Sequence, residues 1–308
     1  MERFRSRLLG GCVVRKLRRL GMLVLVAVLV LTATGATTAT ATQPTFPTLI
    51  GIRAAHHPAF DRIVFDFSGG LPANRVATYV PQLIGDPSGL PVPIAGRAIL
   101  QVRFEFANAH DDAGNATAPG RIAFALPNII TAVRAGDFEA VTIYGIGLAK
   151  EQPFRLFALT NPYRVVIDID AAFSTVPRQV YFLDAGRFAA NQLPFFVPVT
   201  RQVPPLTPAT GVMDHLFAGP TPAEEARGLE FLSSGATGFS NLSIGQQIAR
   251  VRLTGGCSSG GSTVSIAGEI FPTLRQFSTV DFVKIFDPEG RTERPTGAVD
   301  SIPECLEP

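Results

Sequence analysis

The chain has 308 residues, room for about two domains, and its 46% hydrophobic content with 29 glycines, 25 prolines and 17% charged residues excludes a disordered chain in favour of a turn-rich folded one. The formal charge of +2 is confined to one end: seven of the 27 Lys and Arg residues fall in the first 19 positions, leaving 20 basic and 24 acidic residues beyond residue 41, a net −4. A mildly acidic chain without a basic stripe excludes an electrostatic nucleic-acid binder.

In chain order, residues 1–41 have the pattern of a secretory signal. A cationic stretch precedes the apolar run Leu20–Ala36, and small residues then end in Ala39-Thr40-Ala41, an A-x-A cleavage pattern. An uncleaved membrane anchor is the other reading of that run. Either way the expected location is extracytoplasmic. Residues 42–49 form a short extended spacer, because Pro44 and Pro47 fix φ and remove backbone donors.

From residue 50 to residue 170 the hydrophobic period is two. Leu100, Val102, Phe104 and Phe106 take one face of a strand while Gln101, Arg103 and Glu105 take the other. The same alternation in Asp61–Phe67, Val141–Leu148, Phe154–Leu159 and Tyr163–Ile169 predicts an all-β, sandwich-like domain. A linker at 171–178, containing Pro177, leads into a mixed α/β domain at 179–287. Its strands are expected at Val180–Asp184, Phe195–Val203, Ile248–Leu253 and Val280–Phe286. A helix over Pro208–Phe217 buries Val212, Met213 and Leu216. Next, Thr221-x-x-Glu224 is a capping box with Pro222 at the first helical position, and Gly228 ends that short helix. Ala267, Ile270, Phe271, Leu274 and Phe277 define an amphipathic helix, capped by Ser262 or Thr263 and kinked or shortened by Pro272. Residues 288–308 are a polar tail. Cys257 and Cys305 are the two cysteines past the signal, and in an oxidising compartment an even pair is most simply a disulfide. That bond would tether the tail and contribute about 3–4 kcal/mol.

Four motifs invite chemistry. Gly256-Cys-Ser-Ser-Gly260 fits a hydrolase elbow, but the fold of that motif places its histidine after the serine, and His56, His57, His110 and His215 all precede it. The same stretch fits a P-loop without the lysine that reaches the phosphates, so a stapled turn is expected instead. His56 and His57 with Asp61 lack a third ligand of local spacing, and neighbouring histidines on a strand face opposite ways. His110-Asp111-Asp112 with Gly114 and Asn115 is oxygen-rich but lacks the alternation of a calcium loop. Asp137 and Glu139 are two apart, on one side if extended; with Phe138 and Asp61 they form the candidate ligand-binding set. No catalytic residue, cofactor or metal is expected.

Residues 50–170 resemble the AMIN-like domain of exported bacterial proteins, through Gly51-IRAAHHPAFDRIVFDF, Gly136-DFEAVTIYGIGL and Asn161-PYRVVIDI. Residues 179–287 resemble the GerMN domain of sporulation and germination proteins, through Val180-YFLD, Val197-PVTRQVP, Leu216-FAGPTPAEEARGL and Gly268-EIFPTLRQFSTVDFVKIFD. The cysteine pair and Pro272 depart from the second family's pattern. These resemblances imply a non-enzymatic envelope protein: AMIN-type domains are associated with peptidoglycan or envelope complexes, and GerMN domains resemble ring-building modules. The expected partners are peptidoglycan or envelope proteins, with a homo-oligomer as a further expectation. The alternatives are a hydrolase of cell-wall polymer, with Asp61, Asp137 and Glu139 as its carboxylates, and a sensor holding a small ligand between its domains.

Overall fold

The computed structural model describes residues 45–308; the expected signal at 1–41 and the start of the expected spacer lie outside them. The described residues make one compact unit.

The first half is a β-sandwich. Strands β1 (Thr48–His57), β2 (Phe60–Ser68), β9 (Tyr163–Asp170) and β8 (Phe154–Thr160) form one antiparallel sheet in the order β1-β2-β9-β8. The other contains β3 (Asn74–Val80), β4 (Ala98–Glu105), β7 (Val141–Leu148), β6 (Ile129–Phe138) and β5 (Arg121–Ala123), in the order β3-β4-β7-β6-β5. Alternate residues of each strand meet between the sheets, where Phe65 packs edge-on against Phe104 and Tyr144 at 5.1 and 5.8 Å. The strand β1 begins at Thr48, within the expected spacer, because Leu49 donates to the Asn108 carbonyl and Asn108 to that of Pro47.

On β7 the alternation is hidden, since nearly the whole strand is buried on both faces. A strap of residues 83–97 lies on its outer side, where Leu83 packs with Val133, Ala135 and Ile143. That approach needs glycine: a Cβ on Gly147 would come within 1.9 Å of the Ala95 carbonyl oxygen, and one on Gly145 within 2.6 Å of the Leu83 side chain.

The second half mixes helices and strands. One sheet has the order β11-β10-β12, from β10 (Val176–Asp184), β11 (Phe196–Val203) and the short β12 (Leu229–Glu230). The other has the order β13-β14-β15, from β13 (Ala236–Gly245), β14 (Ile248–Gly255) and β15 (Phe282–Phe286), with β14 and β15 parallel. Helix α1 (Ala185–Ala189) follows β10, with Asp184 as its side-chain cap. Helix α2 (Pro208–Ala218) buries Val212, Met213 and Leu216 as expected, and α3 (Pro222–Glu225) carries the capping box. Helix α4 (Ile266–Arg275) is the crossover between β14 and β15 and extends three residues past Pro272. Its start lies beyond Ser262 and Thr263, the expected caps. The Ile266 N–H is instead received by the Ser234 hydroxyl at 3.0 Å, a partner distant in sequence.

The side of β10 facing away from β11 pairs with β12 only through Leu183 and Asp184. Its remaining donors go to α4: Gln179 N–H to Gln276 Oε1 at 2.8 Å, Tyr181 N–H to Thr273 Oγ1 at 3.1 Å, and Leu183 N–H to Glu269 Oε1 at 3.2 Å. Residues two apart on a strand are spaced about 6.8 Å, and four residues of helix rise about 6 Å, so a helix stripe at 269, 273 and 276 matches the strand's donors.

The tail is packed as well as tethered. Cys257 and Cys305 form the disulfide, Leu306 and Ser301 are buried, and the Lys284 ammonium donates to the Arg294 and Thr296 carbonyls.

Burial pushes the Glu269 carboxyl up to about 8, opposed by the amides of Leu232 and Leu183. A carboxyl raised in the folded state contributes stability that is fully present below its unfolded value of 4.5 and is lost as pH rises to about 8. Glu269→Gln keeps the acceptor for Leu183 and Leu232 and removes the titration. The variant is expected to lose less stability than the parent between pH 5 and 8, the difference in slope being at most about 1.4 kcal/mol per pH unit in urea unfolding. Parallel pH profiles would refute this account of Glu269.

Candidate functional site

The four candidate residues fall in two places. Asp61 is on β2, wholly buried, and its Oδ2 accepts the backbone N–H groups of Asn128 and Ile129 at 2.7 and 3.0 Å, while Oδ1 lies 2.7 Å from His56 Nδ1. It anchors the loop that enters β6, and both of its oxygens are engaged by the protein.

Asp137, Phe138 and Glu139 occur where β6 turns into β7. A register shift between Arg134 and Gly136 re-aims the end of β6, and the strap touches it through a bridge between Asp86 and Gly136. Asp137 Oδ1 accepts from Ala109 N–H at 2.8 Å and Thr142 Oγ1 at 3.0 Å. Its Oδ2 lies 2.8 Å from His110 Nδ1 and 3.8 Å from the Arg134 guanidinium. The three side chains, with Gly114 and Ala116, line an open cavity of about 340 Å³. Because His110 uses Nδ1 on Asp137, its Nε2 is the ring nitrogen left for a ligand. The Arg134 guanidinium adds donors, held by a 3.5 Å bond to the Ala109 carbonyl. This is a site for hydroxyl or carboxylate groups. Its lining has one carboxylate and no serine, cysteine or threonine, so neither a two-carboxylate glycosidase nor a nucleophilic triad is assembled there.

Phe138, the next residue of β6, is 48% exposed and is not among the residues lining the cavity. Glu139 and Ala140 both adopt positive φ, 49° and 57°, the requirement of a two-residue hairpin turn that matches strand twist. The Ala140 carbonyl, which accepts from Ala107 N–H, fixes this turn to the loop carrying His110.

The other motifs resolve as structure. His56 binds Asp61 while His57 stacks on Phe60 at 4.6 Å, so the two histidines separate. Asp111 folds its own loop by accepting from Ala113 and Asn115. The turn after β14 has Gly260 and Gly261 at positive φ, and Ser259 is bonded to the Cys305 and Glu307 carbonyls. His215 is enclosed in α2, its ring pushed down to about 3 by burial, beside the buried Arg201–Glu224 pair.

A second exposed surface was not legible from any single segment. On the outer face of the β1-β2-β9-β8 sheet, register aligns Arg62, Asp168 and Arg155 across three strands. Asp168 accepts from Arg62 at 2.6 and 2.9 Å and from Arg155 at 2.9 Å. Both guanidinium groups lie over Phe157, at 5.6 and 5.2 Å, and Arg62 also covers Phe60 at 5.2 Å. Its sequence signal is an outward arginine on β2 and on β8 with an aspartate on β9 between them.

Residues 47–171 match the family described as the AMIN-like domain, and residues 179–291 match the Germane family, described as sporulation and spore germination. No curated protein and no solved structure matches the chain. The chain thus carries an AMIN-like domain followed by a GerMN domain, the former the β-sandwich and the latter the helix-containing half. Among the described residues no helix is long and apolar enough to cross a membrane.

The anchoring geometry gives a stability ranking. Asp61→Ala leaves two buried backbone donors without an acceptor and is expected to cost about 3–5 kcal/mol. Asp137→Ala, at a partly open site, is expected to cost about 2–3 kcal/mol. Urea midpoints at constant slope measure both. A parental midpoint for Asp61→Ala would overturn the anchoring role.

Proposed function

From an AMIN-like domain followed by a GerMN domain, we infer that the protein is a non-catalytic, extracytoplasmic adaptor of the cell envelope. Its sandwich binds peptidoglycan through the His110–Arg134–Asp137 cavity and the adjoining Phe138–Glu139 turn, and its GerMN half contacts envelope proteins. The observation that carries this reading is the cavity: it offers a ring nitrogen and a braced guanidinium to an incoming polar group, with no nucleophile in its lining, and the turn that follows Asp137 adds the exposed ring of Phe138. Sugar polymers with pendant carboxylates match that combination, since the aromatic ring takes apolar sugar faces and the arginine pairs with carboxylates. Asp137 acts by holding His110 and the loop in place. Asp61 is a structural anchor in this reading, and Glu139, exposed at the turn, is a peripheral contact.

The test is co-sedimentation of residues 44–308 with purified peptidoglycan sacculi, with released fragments assayed in the same tube. Sedimentation without release is expected, and Arg134→Ala and Phe138→Ala should each weaken it about five- to tenfold, the loss of one charged hydrogen bond or one aromatic contact. Release of muropeptides would replace the adaptor by a hydrolase. No sedimentation would remove wall binding and leave a protein partner as the ligand.

A further inference from the structure

The two halves meet along a cleft that the wall-binding reading does not use. Its floor is aromatic: Phe217 of α2 stacks on Phe239 of β13 at 5.7 Å and meets Phe231 edge-on at 5.6 Å. Two adjoining cavities of about 270 and 300 Å³ share Pro93, Phe217 and Thr237 in their walls. The smaller is closed by Ala218, Phe231 and Ala236, with Arg121 of β5 at its rim. The larger is bounded by the strap at 93–97 and by Asp214, Thr237 and Thr254. One end of the cleft is therefore apolar and the other polar, the pattern of a site for a molecule with two unlike ends.

The cations of the cleft differ. Arg97 is committed: its guanidinium is bidentate on Asp214 and lies 4.9 Å over Phe239. Arg121 donates to the Pro93 carbonyl at 2.7 Å and has no carboxylate partner among the described residues. Arg121 is exposed at the start of β5, so its guanidinium is open to an incoming anion, and desolvation by neighbouring atoms lowers its proton affinity.

We propose that this cleft binds a small amphipathic anion, its aromatic or aliphatic body against Phe217, Phe231 and Ala236 and its carboxylate, phosphate or sulfonate head on Arg121. Hydroxyl or amide groups of such a ligand reach Thr237 and Thr254. Since the walls come from the strap of one half and from α2 and β13 of the other, occupancy stabilises the contact between the halves.

The probe is naphthalene-1-sulfonate, titrated calorimetrically into residues 44–308, with naphthalene-1-methanol as its neutral counterpart. Saturable binding near one site per chain is expected, weaker for the neutral probe. Arg121→Gln should weaken sulfonate binding about tenfold or more, the loss of one charged hydrogen bond, and leave the neutral probe unchanged. Phe231→Ala should weaken both. Arg155→Gln, on the far sheet, should alter neither. Equal affinity of the Arg121→Gln protein for the sulfonate, or binding at many sites per chain, would overturn the proposal. Thermal melts of each variant show that it is folded: Arg121 makes a single backbone bond, so its loss leaves the melting temperature close to the parent's.

Discussion

The second half depends on one exchange of hydrogen bonds between a helix and a strand edge. A strand placed as β10 is leaves backbone donors that cannot stay bare beside a hydrophobic core. They are not given to another strand, because β12 covers only two residues. Side chains at 269, 273 and 276 of α4 accept them, which fixes the height and rotation of the helix against the sheet. Once α4 is fixed, the parallel pairing of β14 with β15 follows, since α4 is the connection between them. Gly268 adds the close fit: a Cβ there would enter the Phe196 ring. The cost is a carboxylic acid in the interior, where desolvation favours its neutral form.

In the sandwich the corresponding constraint is the bare backbone of β7. Gly145 and Gly147 let the strap come down onto the sheet, and the strap carries Arg97 to Asp214 in the other half. Burial pushes Asp214 up to about 6 against the pull of Arg97, so the pair is one whose partners need each other: an Asp214 carboxylate without the guanidinium would be a buried charge alone. The junction between the halves, and the cleft beside it, thus trace back to two residues without side chains.

Much of this was legible in the sequence. The all-β sandwich, the mixed second half, the capping box at Thr221 and the Cys257–Cys305 bond follow from alternation, spacing and cysteine count, because each is a local pattern or a simple parity. What stayed hidden depended on distant partners. Strands β1, β3, β5, β6, β12 and β13 are not announced by the sequence: β6 is buried on both sides and so does not alternate, β5 and β12 are only three and two residues long, and β1, β3 and β13 are edge strands of mixed exposure. The N-cap position of α4 is Ser265, whose side chain makes no capping bond, and the acceptor for the first helical N–H is Ser234, thirty-two positions from Ile266, which no local rule can supply. Asp61 and Asp137 look alike as isolated carboxylates, and only the fold shows that the first is enclosed while the second lines a cavity with His110 and Arg134. The arginine and phenylalanine face of the first sheet needs the register of three strands before its residues become neighbours.

The bond between Cys257 and Cys305 encloses α4, β15 and the exposed stretch after Asp287 within one covalent loop. A surface stretch of this kind is where proteases cut first. A single cut between the two cysteines would open the chain without dividing the molecule. The piece bearing Leu306 would stay attached, held also by the Ser259 contacts to the backbone of Cys305 and Glu307, and the nicked protein would keep its last segment in place.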